Sequence, residues 1–220
     1  VNAHQEARCA LSFSGGKDSM LALDRALKAG ARVEYLLTLY DEASQRVRFH
    51  NVPIVLIQAQ ADALGIPLLA YPNAPEHFEA VFLQALRELR QRNIDTLLFG
   101  NIHLADVRAW YEERTTAAGF VHREPLWGEA PAQLVRAYLA RGYKALLTCI
   151  ELARARPAWL GAQMDEALVR EFEQAGIDPC GERGEYHTFV YDGPLFARPL
   201  PVHAGSVSEA AGFRMLDVHL

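Results

Sequence analysis

Short apolar runs rich in β-formers alternate with amphipathic stretches along the first two-thirds of the chain. This alternation limits the available folds more than any other feature. Residues 8–13 (RCALSF) read as a strand ended by Ser14-Gly15-Gly16. A helix is expected over 18–29, apolar at Met20, Leu21, Leu23 and Leu27 and closed by Gly30. Residues 33–40 (VEYLLTLY) read as a second strand. Asn51 is expected to cap a helix that carries Pro53 in its first turn and stops at Gly65. A third strand over 66–71 precedes a long helix over 75–91, where Phe78, Val81, Phe82, Ala85, Leu86 and Leu89 repeat at helical spacing. Then come a strand over 96–100, a helix over 104–118 and a strand starting at 119. Strands alternating with helices of this length imply right-handed βαβ crossovers and a mostly parallel α/β sheet.

The character changes after Leu126-Trp127-Gly128. A helix over 131–141 and a strand over 144–149 are expected to continue the α/β rhythm. A Pro- and Trp-containing loop, a helix near 163–174 and a Gly- and Pro-rich tail from Gly176 follow, with β-like runs such as 186–191. The expected division is a nucleotide-binding unit over 1–126 and a smaller α+β unit over 127–220, which the 220-residue length allows.

Composition excludes several classes. The formal charge of −5, from 22 basic and 27 acidic residues, opposes an extensive grip on nucleic acid. The longest apolar runs are about four residues, too short to span a membrane. The opening segment 1–8 is polar, so no signal peptide is expected. Three distant cysteines with no C-x-x-C fit reduced thiols in a cytoplasmic protein rather than a zinc ribbon.

The strongest local signal is Ser14-Gly15-Gly16-Lys17-Asp18-Ser19, between the first strand and the first helix. Two glycines let backbone N–H groups approach an anion. The helix N-terminus adds partial positive charge, Ser14 and Ser19 add hydroxyls, and Lys17 adds a full charge. The spacing fits neither the Walker A motif nor the G-x-G-x-x-G fingerprint.

S-G-G-K-D-S resembles the signature of the PP-loop ATP pyrophosphatases. That resemblance implies a Rossmann-like domain, helices on both faces of its sheet, that cleaves ATP between the α and β phosphates. The tail from Gly176 to Phe189 (GIDPCGERGEYHTF), with Asp192-Gly193-Pro194 beyond it, resembles the diphthine–ammonia ligase family. So does Phe99-Gly100-Asn101-Ile102 with Arg108 and Glu112 downstream. The resemblance covers residues 9 to about 199. In that family the eukaryotic and archaeal members amidate the diphthine carboxylate of elongation factor 2, using ATP and ammonium. One departure is Asn101, where the family usually has Asp; it keeps the shape, loses the charge and leaves Mg²⁺ to Asp18 and the phosphates.

The resemblance implies that a carboxylate acceptor, a small molecule or a protein, is adenylated and then amidated. Lys17, Asp18, Glu185 and His187 are the expected catalytic residues. Glu185 and His187 would place ammonia and take its proton. Ser14, Gly15, Gly16, Lys17, Asp18, Ser19, Tyr40, Asn101 and Arg108 are expected to bind the nucleotide, with Tyr40 near the adenine and ribose. Glu182, Thr188 and His103 are expected on the acceptor side. A homodimer is compatible with this reading. Plainer readings stand beside it: a β-hairpin with solvated Glu and His, a surface pair between Arg108 and Glu112, an exposed loop histidine at His50, and core or interface tryptophans. Two other functions stand beside it too: a tRNA-modifying PP-loop enzyme, and a non-catalytic sensor of ATP or AMP.

Overall fold

The computed structural model describes residues 7–220. The polar opening segment, on which the signal-peptide expectation rests, lies outside the described residues up to residue 6. Chain order is β1 (Arg8–Ser12), α1 (Lys17–Lys28), β2 (Arg32–Asp41), β3 (Arg46–Val47), β4 (Val52–Pro53), α2 (Ile54–Leu64) and β5 (Leu68–Asn73). A 3₁₀ turn at Pro75–His77 leads into α3 (Phe78–Gln91), β6 (Thr96–Leu98), α4 (Ala105–Ala117) and β7 (Val121–Arg123). β5, β2, β1, β6 and β7 lie side by side and run parallel. The chain builds outward from β1 through β2 to β5, then returns to the other side of β1 with β6. That reversal is a topological switch point, and ligands of open α/β sheets bind beyond the carboxyl ends of the strands there.

Alternation along β1 explains the layering. Cys9, Leu11 and Phe13 face a core shared with Met20, Leu23, Leu56 and Ile57 of α1 and α2. Ala10 faces the opposite core, with Phe82, Leu86 and Leu89 of α3. Side chains of successive strand residues point to opposite faces, so a central strand feeds both layers. The first core continues without a break into the remainder of the chain, including Leu147, Phe172, Phe189 and Val190.

That remainder contains α5 (Pro131–Ala140), β8 (Lys144–Glu151), α6 (Glu166–Ala175), β9 (Tyr186–Asp192), β10 (His203–Ala210) and β11 (Phe213–His219). Its four strands form an antiparallel sheet in the order β10-β11-β8-β9. The parallel sheet, its helices on both faces and this second sheet agree with the expected fold class. Asp24 of α1 ties the layers together. Arg141 binds it through two nitrogens at 3.0 and 2.7 Å, and the Tyr143 hydroxyl donates to it at 3.1 Å. Burial opposes its charge, but these donors hold the Asp24 carboxyl below its usual range. Among the described residues no helix is long and apolar enough to cross a membrane.

Two local expectations are corrected, and one element is new. The strand at 144–151 joins the antiparallel sheet and does not continue the parallel one. Asn51 does not cap α2. It has φ 56°, its N–H donates to the Val47 carbonyl, and it serves the β3–β4 turn. Asn tolerates the left-handed region that this turn needs, and Pro53 takes the position before the helix. The β10–β11 hairpin was not expected. Its turn uses Ala211 and Gly212 at φ 50° and 84°, and β10 is exposed along its length, so it lacks an apolar alternation.

Candidate active site

The loop between β1 and α1 has the geometry its composition implies. Gly15 has φ +79°, and a Cβ there would come within 2.5 Å of both the Gln60 and Ile57 side chains. A Cβ on Gly16 would come within 2.5 Å of the His50 ring. Both positions therefore require glycine. Ser19 Oγ donates to the Gly16 carbonyl at 3.0 Å and lies 3.4 Å from Ser14 Oγ. Gly100 closes the other wall: a Cβ there would meet the Asp18 and Ser19 backbone at 3.0 Å. The end of β6 thus packs directly on the first turn of α1.

The second sheet reaches this loop through β9. The Lys17 N–H donates to Thr188 Oγ1 at 3.1 Å, and the Val190 N–H donates to the Gly15 carbonyl at 3.0 Å. Gln60 bridges the loop and β9 by donating to the Gly15 and Val190 carbonyls at 3.0 and 2.5 Å. Lys17 Nζ lies 2.8 Å from Asp18 Oδ2, contacts the Cys180 carbonyl, and sits 4.9 Å from the centre of the Tyr186 ring. Burial opposes the charge on this amine, but Asp18, Cys180 and Asp178 together outweigh it and raise the lysine's pKa. Burial also raises the Asp18 carboxyl, against the pull of Lys17.

Ser14, Lys17, Asp18, Ser19, Asn101, Glu182, His187 and Thr188 line one cavity of about 530 Å³. Its apolar end carries Leu37 and Leu39 of β2, Phe78 and Phe82 of α3, and Tyr111 of α4. Gly15 and Gly16 form the loop backbone behind it.

Other expected site residues stand elsewhere. Tyr40 packs against the core on the opposite side of β2 from Leu39, because strand side chains alternate. Arg108 lies 4.6 Å over the Trp127 ring and 3.3 Å from both Glu112 and Glu124, while Leu104 and Val107 present that helix to the cavity. Glu185 is buried behind the wall, 3.1 Å from Arg154, and the cavity lining does not include it. His103 adjoins the lining through Glu182, 2.7 Å from its Nδ1.

Two site residues escaped sequence reasoning. His50 is not an exposed loop histidine. It lines the cavity, its Nδ1 lies 3.0 Å from the Thr188 carbonyl, and its ring is 4.7 Å from that of His187. Burial lowers its pKa to about 4. Burial, then His50 and Lys17, likewise hold His187 well below the usual histidine range. Both imidazoles are therefore neutral at physiological pH. The second is Glu124, just past β7 and so at the carboxyl edge of the sheet. It accepts from Asn101 Nδ2 at 2.8 Å and lies 3.1 Å from His122 Nε2, which fixes the Asn101 amide. A charged residue immediately after a β-strand of this sheet was its one sequence signal. Cys180 is buried, burial raises its thiol pKa, and its Sγ donates to the Pro131 carbonyl at 3.3 Å. It is not a nucleophile in this state.

A glycine turn at the switch point of a parallel sheet, covered by a strand from a second sheet, defines a Rossmann-like α/β protein. Residues 7–121 match the family model described as the diphthamide synthase N-terminal domain, and residues 130–215 match the diphthamide synthase C-terminal domain. The chain belongs to the diphthamide synthase family. Its curated relatives include the diphthine–ammonia ligase of Danio rerio, 26% identical over 87% of this chain and 85% of the relative. The diphthine–ammonia ligase of Homo sapiens is 24% identical over 97% of this chain and 92% of the relative. That of Schizosaccharomyces pombe is 25% identical over 90% of this chain but 36% of its own length.

Proposed function

We propose that this chain is an ATP-dependent amidoligase that adenylates a carboxylate and then transfers ammonia to it. The observation that carries the reading is the direct bonding of β9 to the phosphate loop. It supports the reading because Lys17 and Asp18 of the loop region and His187 and Thr188 of β9 line one cavity. The unit over 1–126 supplies the first set and the unit over 127–220 the second. The relatives' name, diphthine–ammonia ligase, supports a carboxylate acceptor and ammonia as substrates.

The N-terminal end of α1 and the Lys17 ammonium bind the phosphates of ATP. An acceptor carboxylate oxygen attacks the α-phosphorus, the bond to the bridging oxygen breaks, and pyrophosphate leaves. Lys17 stabilises the charge that develops on the departing group. Asp18, a carboxylate beside the cradle, would hold Mg²⁺, an ion that favours oxygen ligands including one or two carboxylates. The ion would supply charge neutralisation.

Ammonia nitrogen then attacks the acyl carbon, the acyl–oxygen bond breaks, and AMP leaves. The surplus proton passes to His187, whose neutral imidazole can accept it. The burial and the Lys17 charge that keep His50 and His187 neutral equally disfavour an ammonium cation in their place. Ammonia therefore enters as the free base. Glu185, set behind the cavity wall with Arg154, orients β9 in this scheme and does not touch substrate.

Incubation with ATP, Mg²⁺ and candidate carboxylates, with hydroxylamine to trap an acyl-adenylate, tests the reading. AMP and pyrophosphate in equal amounts with a hydroxamate are expected. ADP and phosphate, or unchanged ATP with every acceptor, would overturn it.

A further inference from the structure

Beside the cavity, at the junction of the β6–α4 loop with the tail, His103 stands between two carboxylates. Its Nδ1 lies 2.7 Å from Glu182 Oε2, and its Nε2 lies 3.3 Å from Asp178 Oδ2. These side chains come from segments far apart in sequence, yet one ligand atom from each lies within 4.8 Å of the others. The Asp178 side chain is 8% exposed and that of Glu182 12%.

The charge balance here differs from that at the other buried carboxylates. Asp24 has Arg141, Glu34 has Arg8, and Glu124 has Arg108. Among the described residues, Asp178 and Glu182 have no lysine or arginine partner, only His103. The nearby Lys17 ammonium is directed at Asp18 and the Cys180 carbonyl instead. A neutral imidazole has one N–H, so it cannot donate to both carboxylates. The other nitrogen meets its carboxylate without a lone-pair clash only when a proton or a metal cation stands between them.

The carboxylates are also oriented in advance. Glu182 accepts the Ile102 and His103 N–H groups at 2.6 and 2.8 Å, and Asp178 Oδ1 accepts the Cys180 N–H at 2.8 Å. This leaves Asp178 Oδ2, on a side chain 8% exposed, turned towards the imidazole with no backbone donor among the described residues. Backbone hydrogen bonds to carboxylates are the kind of outer support that metal ligands receive.

We propose that His103, Asp178 and Glu182 bind one divalent transition-metal ion, of the zinc class, beside the nucleotide cavity. One imidazole nitrogen and two carboxylates suit Zn²⁺ better than Mg²⁺, which takes oxygen ligands. Three protein ligands leave a coordination position for water or a substrate oxygen. Glu182 is common to the cluster and the cavity lining, so a bound ion adjoins the place where the acceptor is handled.

The test needs neither ATP nor acceptor, so its outcome is separate from that of the amidoligase reading. Chelator-stripped full-length protein is titrated with Zn²⁺ in competition with a chromophoric chelator, and its melting temperature is followed with and without Zn²⁺. One equivalent is expected to bind, with a rise in melting temperature. His103→Gln and Asp178→Asn should each weaken binding on the order of tenfold or more and abolish the rise. The melting curve of each variant without metal checks that it is folded. His50→Ala removes the other histidine cluster and should bind Zn²⁺ like the parent. No stoichiometric binding, binding unchanged in folded His103→Gln, or binding lost in His50→Ala would overturn the site.

Discussion

The phosphate loop and the strand that covers it are built on opposite principles. The loop is six consecutive residues, and each of its requirements is local: a positive φ at Gly15, a missing Cβ at Gly16, and a helix start at Lys17. β9 contributes through partners more than a hundred residues away, including Lys17, Gly15, Gln60 and the His50 ring. In the proposed function the local part binds the nucleotide and the distant part finishes the chemistry. Substitutions on the two sides should therefore fail differently.

The largest separation is expected at His187. His187→Ala should cut amide or hydroxamate formation by about 10²-fold, the lower end for a positioned acid–base group, while ATP affinity stays within a few-fold. Equal losses in both would erase the division between loop and tail. Lys17→Ala should show the reverse signature, with ATP binding about tenfold weaker or more, as expected for a charge-assisted contact of roughly 1.5–3 kcal/mol. Calorimetry with a non-hydrolysable ATP analogue reads this directly.

A pH titration of stability sharpens the comparison, because the two buried histidines belong to the junction of loop and tail. Their folded pKa values lie below the ordinary 6.5, with His50 at about 4. Between these values the unfolded chain binds more protons than the folded one, so stability falls as pH drops from 6.5 towards 4. The slope is about 1.4 kcal/mol per pH unit for each proton taken up. Denaturant melts at stepped pH measure it, and His50→Gln should remove part of the slope. The smallest effect is expected at Thr188→Val, which deprives the buried Lys17 N–H of its acceptor and should cost about 1–2 kcal/mol. Chemical denaturation should detect that loss, and an unchanged midpoint would mean that the β9 contact holds nothing.

Legibility in the sequence divides along the same line. The strand and helix alternation, the six-residue loop and the Gly/Pro-rich tail were readable because each depends on neighbours in sequence. Tyr40 was misplaced because alternation along β2 assigns Leu37 and Leu39 to the cavity and sends Tyr40 to the other face. Glu185 looked equivalent to Glu182 in the tail, but it is buried on the Arg154 side, away from the cavity. Spacing alone does not determine which way a turn residue points. His50 was undervalued because its role depends on packing against Gly16 and Thr188, which no local pattern reports. The β10–β11 hairpin has neither buried alternation nor an Asn-Gly turn, the two signals a reader would use.

The hydrogen bonds from Lys17 N–H to Thr188 and from Val190 N–H to Gly15 also have a consequence for synthesis. The first joins residues separated by 171 positions. On the ribosome, β1 and α1 emerge early and wait for β9, so the cradle's last contacts form only after most of the chain has been made. Closing so long a loop is slow compared with local folding. A nascent or truncated chain thus carries the complete nucleotide motif without its finished site, and it keeps apolar surface of the shared core open to chaperones until β9 docks.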